Sequence, residues 1–95
     1  MELPDEKTII LRKPLVTAQG TVDALPLREP TAGELAKFTK AMARDGNVDA
    51  TLHLIALVSG IDKPFLDKLG ARDFSAASDY LSGFINGSPS AGETA

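Results

Sequence analysis

The segment from Val48 to Ser59, VDATLHLIALVS, is the most apolar part of the chain and constrains its fold most strongly. As a helix it carries aliphatic side chains on opposite sides, namely Leu52, Ile55 and Ala56 on one and Leu54, Leu57 and Val58 on the other. A helix that is apolar on nearly all sides is stable only when it is buried on nearly all sides. We therefore expect the rest of the chain, or a second protein, to cover it.

Composition limits what such a chain can do. Its 95 residues make one domain, and 43% of them are hydrophobic, which is typical of a globular protein. The net charge is −3, without a cluster of basic residues, so we do not expect nucleic acid to be a partner. The apolar segment is shorter than the roughly 20 residues of a membrane-spanning helix, and the N-terminus lacks a secretory signal pattern. These features predict a soluble protein of the cytoplasm, with no membrane partner.

Two β-strands are predicted ahead of the helices, at Lys7–Lys13 and at Thr21–Arg28. Pro14 is expected to end the first strand, because proline has no N–H to offer a neighbouring strand. Leu15–Gly20 is then expected to be a loop. Pro26 favours an edge position for the second strand. The simplest arrangement of the two strands is an antiparallel hairpin.

Three main helices and one short helical turn are predicted after the hairpin, over residues 31–44, 48–59, 64–69 and 73–86. The predicted fold class is thus α+β, with an N-terminal antiparallel β-hairpin followed by a small helical bundle. We expect residues 1–6 to be flexible, residues 7–86 to form the domain, and residues 87–95 to be a disordered tail.

The sharpest local signal is the stretch from Pro30 to Leu35, PTAGEL. Thr31 is a suitable N-cap residue, and Glu34 follows three residues later, where its carboxylate can reach back to the Thr31 N–H. This spacing predicts a capping box at the start of the first helix.

No arrangement of residues indicates catalysis, a metal or a cofactor. His53 is the only histidine, and no nucleophile or pair of carboxylates is placed beside it. The glycines separate the predicted elements and do not form a phosphate-binding loop. A helix-turn-helix between Gly46 and Leu69 is disfavoured, because the chain is acidic. We therefore do not expect an enzyme.

The remaining candidate for function is apolar surface. Either the small core is fully closed, or a groove between the helices accepts an apolar helix from a partner. The residues predicted to rim such a groove are Phe65, Leu66, Leu69, Tyr80 and Phe84. On this second interpretation Tyr80 lies at the surface, so replacing it by alanine should not affect folding.

One stretch resembles a known family. It reads L-R-E-P-T-A-G-E-L, and its characteristic positions are Leu27, Arg28, Glu29, Pro30, Thr31, Gly33, Glu34 and Leu35. The stretch is similar to the pattern of the small tail assembly chaperones of Mu-like and P2-like tailed bacteriophages. Weaker similarities at Ile9–Leu11, Leu54–Gly60 and Asp73-Phe74 extend the resemblance over residues 7–86. The chain departs from the family at Ala71-Arg72, where an acidic residue is common.

The resemblance implies a non-enzymatic role in phage tail morphogenesis. Such proteins bind the tape measure protein in the host bacterial cytoplasm, keep it soluble, and help to recruit tail tube protein. They are absent from the mature virion, and self-association is possible. Two other functions remain open at this point: a structural tail component that stays in the virion, and, less favoured by the charge, a small DNA-binding regulator.

Overall fold

A computed structural model describes residues 4–85 of the chain. The elements are, in order, β1 (Glu6–Thr17), β2 (Gly20–Arg28), α1 (Ala32–Asp45), α2 (Asn47–Ser59), α3 (Lys63–Leu66) and α4 (Ala71–Ile85). An antiparallel two-stranded hairpin followed by three longer helices and one short helix confirms the predicted α+β class. The predicted tail at 87–95 lies outside the described residues, and the predicted domain boundaries stay predictions.

The hairpin is longer than predicted, and it contains a bulge. Pairing runs from Glu6 opposite Arg28 to Ile10 opposite Ala24, and it resumes at Leu15 opposite Val22. Residues 11–14 of β1 therefore lie opposite residue 23 alone of β2. The expected strand end at Lys13 was wrong, because the bulge removes Pro14 from the ladder and lets the strand continue past it. The predicted loop 15–20 shortens to a turn at residues 18–19.

The inner face of the hairpin forms one wall of the core. Its buried side chains are Ile9, Leu11, Leu15, Leu25 and Leu27. Helix α2 packs on β2, α4 packs on β1, and α1 packs on α2. The buried side chains of the hairpin and of the helices form one continuous cluster, within which Leu25 is completely inaccessible to solvent.

Helix α2 is buried on most of its surface, as its sequence predicts. Leu54 and Ile55 are fully buried, and Leu52 and Val58 are nearly so, whereas His53 is exposed. The helix ends at Gly60, which adopts a left-handed conformation with φ 78° and donates its N–H to the Ala56 carbonyl. A glycine adopts this conformation without the steric cost that a Cβ would add.

Candidate functional site

The first candidate region lies at the start of α1, where the predicted capping box forms. The Thr31 Oγ1 accepts the Glu34 N–H at 3.2 Å, and the Glu34 Oε1 accepts the Thr31 N–H at 2.9 Å. Both halves of the box are present, so this prediction is confirmed. The two hydrogen bonds satisfy donors that the first turn of a helix otherwise leaves free.

Arg28, at the end of β2, joins this cap to the hairpin. Its two terminal nitrogens donate to the two carboxylate oxygens of Glu34 at 2.8 and 2.7 Å. One of them also donates to the Leu57 carbonyl near the end of α2, at 3.2 Å. The Arg28 hydrogen bond, followed by that of the Thr31 N–H, lowers the pKa of Glu34 to about 2. Arg28 therefore connects β2, α1 and α2 through a single side chain.

The other positions of the L-R-E-P-T-x-G-E-L stretch divide between core and surface. Leu27 and Pro30 are buried, and Leu35 is partly buried against the core. Glu29 and Gly33 are exposed. The stretch thus acts mainly as a structural junction between the hairpin and the helices.

A second junction lies at the bulge of β1 and was not predicted. The carboxylate of Asp73, in the first turn of α4, is almost fully buried. Its two oxygens accept the Arg12 N–H at 2.9 and 3.0 Å, and one also accepts the Lys13 N–H at 3.2 Å. These main-chain groups lie in the bulge, where β2 offers them no regular partner. Asp73 therefore compensates for the bulge and fixes α4 against the hairpin.

The five residues predicted to rim a partner-binding groove do not form a single rim in the described chain. Leu66 is fully buried and Tyr80 is 4% exposed, so neither presents a side chain to a partner. Phe65, Leu69 and Phe84 keep part of their surface exposed. Phe84 lies 11 residues beyond Asp73 on α4, roughly 16 Å along the helix axis, whereas Leu69 and Phe65 precede that helix.

Tyr80 contradicts the expectation that it lies at the surface. Its hydroxyl donates to the Pro4 carbonyl at 2.6 Å, and its ring meets that of Phe84 edge to face, with centroids 5.2 Å apart. Burial, followed by the charges of Asp5, Glu29 and Glu6, raises the pKa of this tyrosine. The physical reason is the segment just before β1, because its Pro4 carbonyl lies against the Tyr80 hydroxyl on a face of α4 that the sequence pattern leaves open.

The most exposed aliphatic side chains lie on the face of the hairpin opposite the helices. Ile10 is 73% exposed and Val16 is 67% exposed. Ala24 pairs with Ile10 across the strands, and Pro26 pairs with Thr8, so both belong to the same face. We call Ile10, Val16, Ala24 and Pro26 the outer hairpin face. Sequence alternation along β1 could have identified it, because Ile10 stands between the inward-facing Ile9 and Leu11.

Two further exposed aliphatic side chains lie away from the hairpin, on the consecutive helices α1 and α2. Val48 is 60% exposed and Met42 is 39% exposed. Within residues 4–85 there is no group of three or more acidic, histidine or cysteine residues arranged to hold a metal ion. The same part of the chain has no helix that is both long and apolar enough to cross a membrane.

Comparison with known proteins gives one match. A protein-family model described as phage tail assembly chaperone proteins, E, or 41 or 14, matches residues 8–86. This range includes both junctions, the outer hairpin face and all four helices. No curated protein and no solved structure matches the chain.

Proposed function

This chain belongs to the phage tail assembly chaperone family, and from that premise we propose that it binds the tape measure protein, keeps it soluble and helps to recruit tail tube protein. The observation that carries the proposal is the family match over residues 8–86, which covers nearly the whole described fold. The proposed role is non-enzymatic and belongs to the host bacterial cytoplasm, with the protein absent from the mature virion.

The outer hairpin face is the surface that we assign to the tape measure protein. A two-stranded sheet is stable when apolar side chains on its faces are covered by another layer. Helices α2 and α4 cover the inner face, whereas Ile10 and Val16 remain mostly exposed on the other. An amphipathic helix from a partner would complete a three-layer arrangement by packing its apolar side on these residues.

The outer hairpin face consists of only four side chains, and so few contacts suit a reversible interaction. Burying about 400 Å² of apolar surface would contribute about 10 kcal/mol before the cost of association, which offsets most of it. A single contact of this kind is weak, and several copies along one client would hold it through their combined affinity. Weak individual contacts would let tail tube protein displace the copies one after another.

The partner-binding role predicted for residues at α3 and α4 is separate from that of the outer hairpin face, and it stays a prediction. Phe65, Leu69 and Phe84 are partly exposed and could contact a partner directly. Leu66 and Tyr80 are buried, so we propose that any effect they have on binding acts through the stability of the fold.

The test is affinity purification of the tagged full-length chain from bacteria in which the phage or prophage is being assembled. We expect the tape measure protein to be the main phage protein recovered, and we expect mass spectrometry of purified virions not to detect the chain. Recovery of unrelated host proteins alone would contradict the proposal. Detection of the chain in virions at the copy number of a tail component would instead favour a structural role.

A further inference from the structure

Three cationic side chains surround one cleft beside the bulge of β1. Arg12 and Lys13 of β1 and Arg72 of α4 line a cleft of about 500 Å³, together with Gly70, Ala71 and Asp73. We call Arg12, Lys13 and Arg72 the basic cleft. All three side chains are exposed, and none of them forms a salt bridge within residues 4–85. Their charges are therefore available to a ligand.

The carboxylate in the lining does not cancel this charge. Asp73 is buried, and its oxygens accept the main-chain N–H groups of Arg12 and Lys13 rather than their side chains. The Lys13 side chain runs beside Gly70, where a Cβ would lie 3.5 Å from the Lys13 Cδ. With three cations and one carboxylate, the lining keeps a net charge of about +2. A ligand of the basic cleft should therefore be anionic.

The basic cleft adjoins the outer hairpin face. Arg12 and Lys13 lie between Ile10 and Val16 along β1, and these two aliphatic side chains are the most exposed of the chain's described part. Arg12 follows Ile10 by two residues, which corresponds to about 7 Å along an extended strand. One turn of a helix rises about 5 Å. A helix that covers Ile10 would therefore bring its next turn close to Arg12.

The surroundings of the cleft favour one kind of anion. A nucleic acid carries a charge on every phosphate, and the net charge of −3 opposes its approach to this chain. A protein helix with a few carboxylates meets less repulsion, and its apolar side chains would cover Ile10 and Val16. The paired oxygens of a carboxylate also match the planar guanidinium groups of Arg12 and Arg72. The favoured ligand is therefore an amphipathic protein segment with acidic side chains.

We propose that the basic cleft binds acidic side chains of the same client helix whose apolar side packs on the outer hairpin face. The inference rests on the proposed function, which assigns that helix to the tape measure protein. It adds a requirement on the client: two Asp or Glu residues three or four positions apart, so that they share one side of the helix, beside its apolar stripe. The apolar contact would supply affinity, and the charges would select which segments of the client are bound.

Co-purification of co-expressed tape measure protein with the tagged full-length chain tests this contact. Arg12→Gln/Arg72→Gln removes two of the three cations and should lower the amount of tape measure protein recovered by about tenfold. Lys37→Gln/Lys40→Gln on α1 changes two exposed lysines and alters the net charge equally, and it should leave the recovery unchanged. Raising the salt from about 50 to about 500 mM should bring the recovery by wild type towards that of the cleft variant. Circular dichroism checks that both variants are folded.

Carbodiimide crosslinking of the same complex identifies the groups that meet in the cleft. The reagent joins a lysine amine to a carboxylate in direct contact with it, and mass spectrometry locates the resulting amide bond. We expect Lys13 to be linked to Asp or Glu residues of the tape measure protein, in segments that also carry an apolar stripe. Changing those residues to Asn or Gln should weaken binding to wild type by about tenfold, and binding to Arg12→Gln/Arg72→Gln far less, because that variant has already lost the contact.

Equal recovery of tape measure protein by wild type and by Arg12→Gln/Arg72→Gln would overturn the inference. Crosslinks from Lys13 to a second copy of this chain alone would also overturn it, as would recovery of nucleic acid that depends on the two arginines. If the cleft variant binds normally while Ile10→Asp/Val16→Asp does not, this inference fails and the proposed function stands. If wild type recovers no tape measure protein at all, the proposed function fails instead.

Discussion

Two carboxylates attach helices to the hairpin, and they do so in different ways. Glu34 is in contact with a guanidinium and with the N-cap three residues before it, and its side chain is 16% exposed. Asp73 is 3% exposed and accepts hydrogen bonds from main-chain N–H groups 60 and 61 residues away, and among residues 4–85 no cation forms a salt bridge with it. The first junction depends on a short stretch of sequence, whereas the second depends on the folded chain.

The comparison shows why two carboxylates should contribute differently to the stability of the fold. Glu34 completes a helix cap that can form locally, and water can partly replace its partners. Asp73 satisfies the N–H groups of a bulge that has no other regular acceptor, so its loss leaves polar groups without partners. We therefore expect the less obvious carboxylate to be the more important one for stability.

The largest effect is expected from Asp73→Ala. Removing the carboxylate leaves the Arg12 and Lys13 N–H groups without their acceptor, which should lower the free energy of unfolding by about 3 kcal/mol. Asp73→Asn keeps one oxygen acceptor, so its free energy of unfolding should fall by about half as much as that of Asp73→Ala. Urea unfolding followed by circular dichroism measures both. A value for Asp73→Ala within about 0.5 kcal/mol of wild type would mean that the bulge does not need this residue.

Arg28→Ala should have the next largest effect. The variant loses the bidentate contact with Glu34 and the hydrogen bond to the Leu57 carbonyl. We expect the free energy of unfolding to fall by about 2 kcal/mol. The loss is limited because the Arg28 side chain is 40% exposed and its charge is partly screened by water. Arg28→Lys should recover less than half of this loss, since an ammonium cannot pair with both oxygens in the same geometry. Equal stability of Arg28→Lys and wild type would show that charge alone holds the junction.

The pH dependence of stability should report the Glu34 contact. The pKa of Glu34 in the folded chain is about 2, below its ordinary value of 4.5. The stabilisation is therefore complete above pH 4.5 and is lost as the pH falls towards 2. The difference in unfolding free energy between wild type and Glu34→Gln should accordingly shrink over that range. A difference that is constant from pH 7 to pH 2 would contradict the assigned pKa.

Thr31→Ala should produce the smallest change, about 1 kcal/mol, because it removes one capping hydrogen bond at an exposed helix start. Thr31→Ser retains the hydroxyl and should be close to wild type. Thermal unfolding of the two variants side by side checks this. If Thr31→Ala were more damaging than Asp73→Ala, the order of importance of the two junctions would be reversed.

The two junctions also show what the sequence could predict. The capping box depends on a spacing of three residues, and the hairpin, the helices and the capped start of α1 follow from similarly local patterns. The contact of Arg28 with Glu34 spans six residues and a turn of the chain, so no helical or strand spacing identifies it. The bond from Asp73 to the bulge spans 61 residues and depends on how α4 packs against β1.

The sequence predictions for Pro14 and Tyr80 are wrong for related reasons. A proline ends a regular strand, but here a bulge takes it out of the ladder, and the bulge is stable because Asp73 bonds its free N–H groups. Helix periodicity alone places Tyr80 at the surface. The carbonyl of Pro4, 76 residues earlier in the chain, accepts its hydroxyl, and no local pattern indicates that contact.

The outer hairpin face, by contrast, belongs to neither junction, and its Ile10 and Val16 side chains are mostly exposed. We propose that this face binds the tape measure protein, and the most direct test measures the soluble fraction of that protein when it is co-expressed with the chain. We expect wild type to keep it soluble, as should Met42→Asp/Val48→Asp, which changes two exposed aliphatic residues elsewhere. Ile10→Asp/Val16→Asp, checked by circular dichroism to be folded, should leave it insoluble. If this folded variant protects the tape measure protein as well as wild type does, the outer hairpin face is not the binding surface.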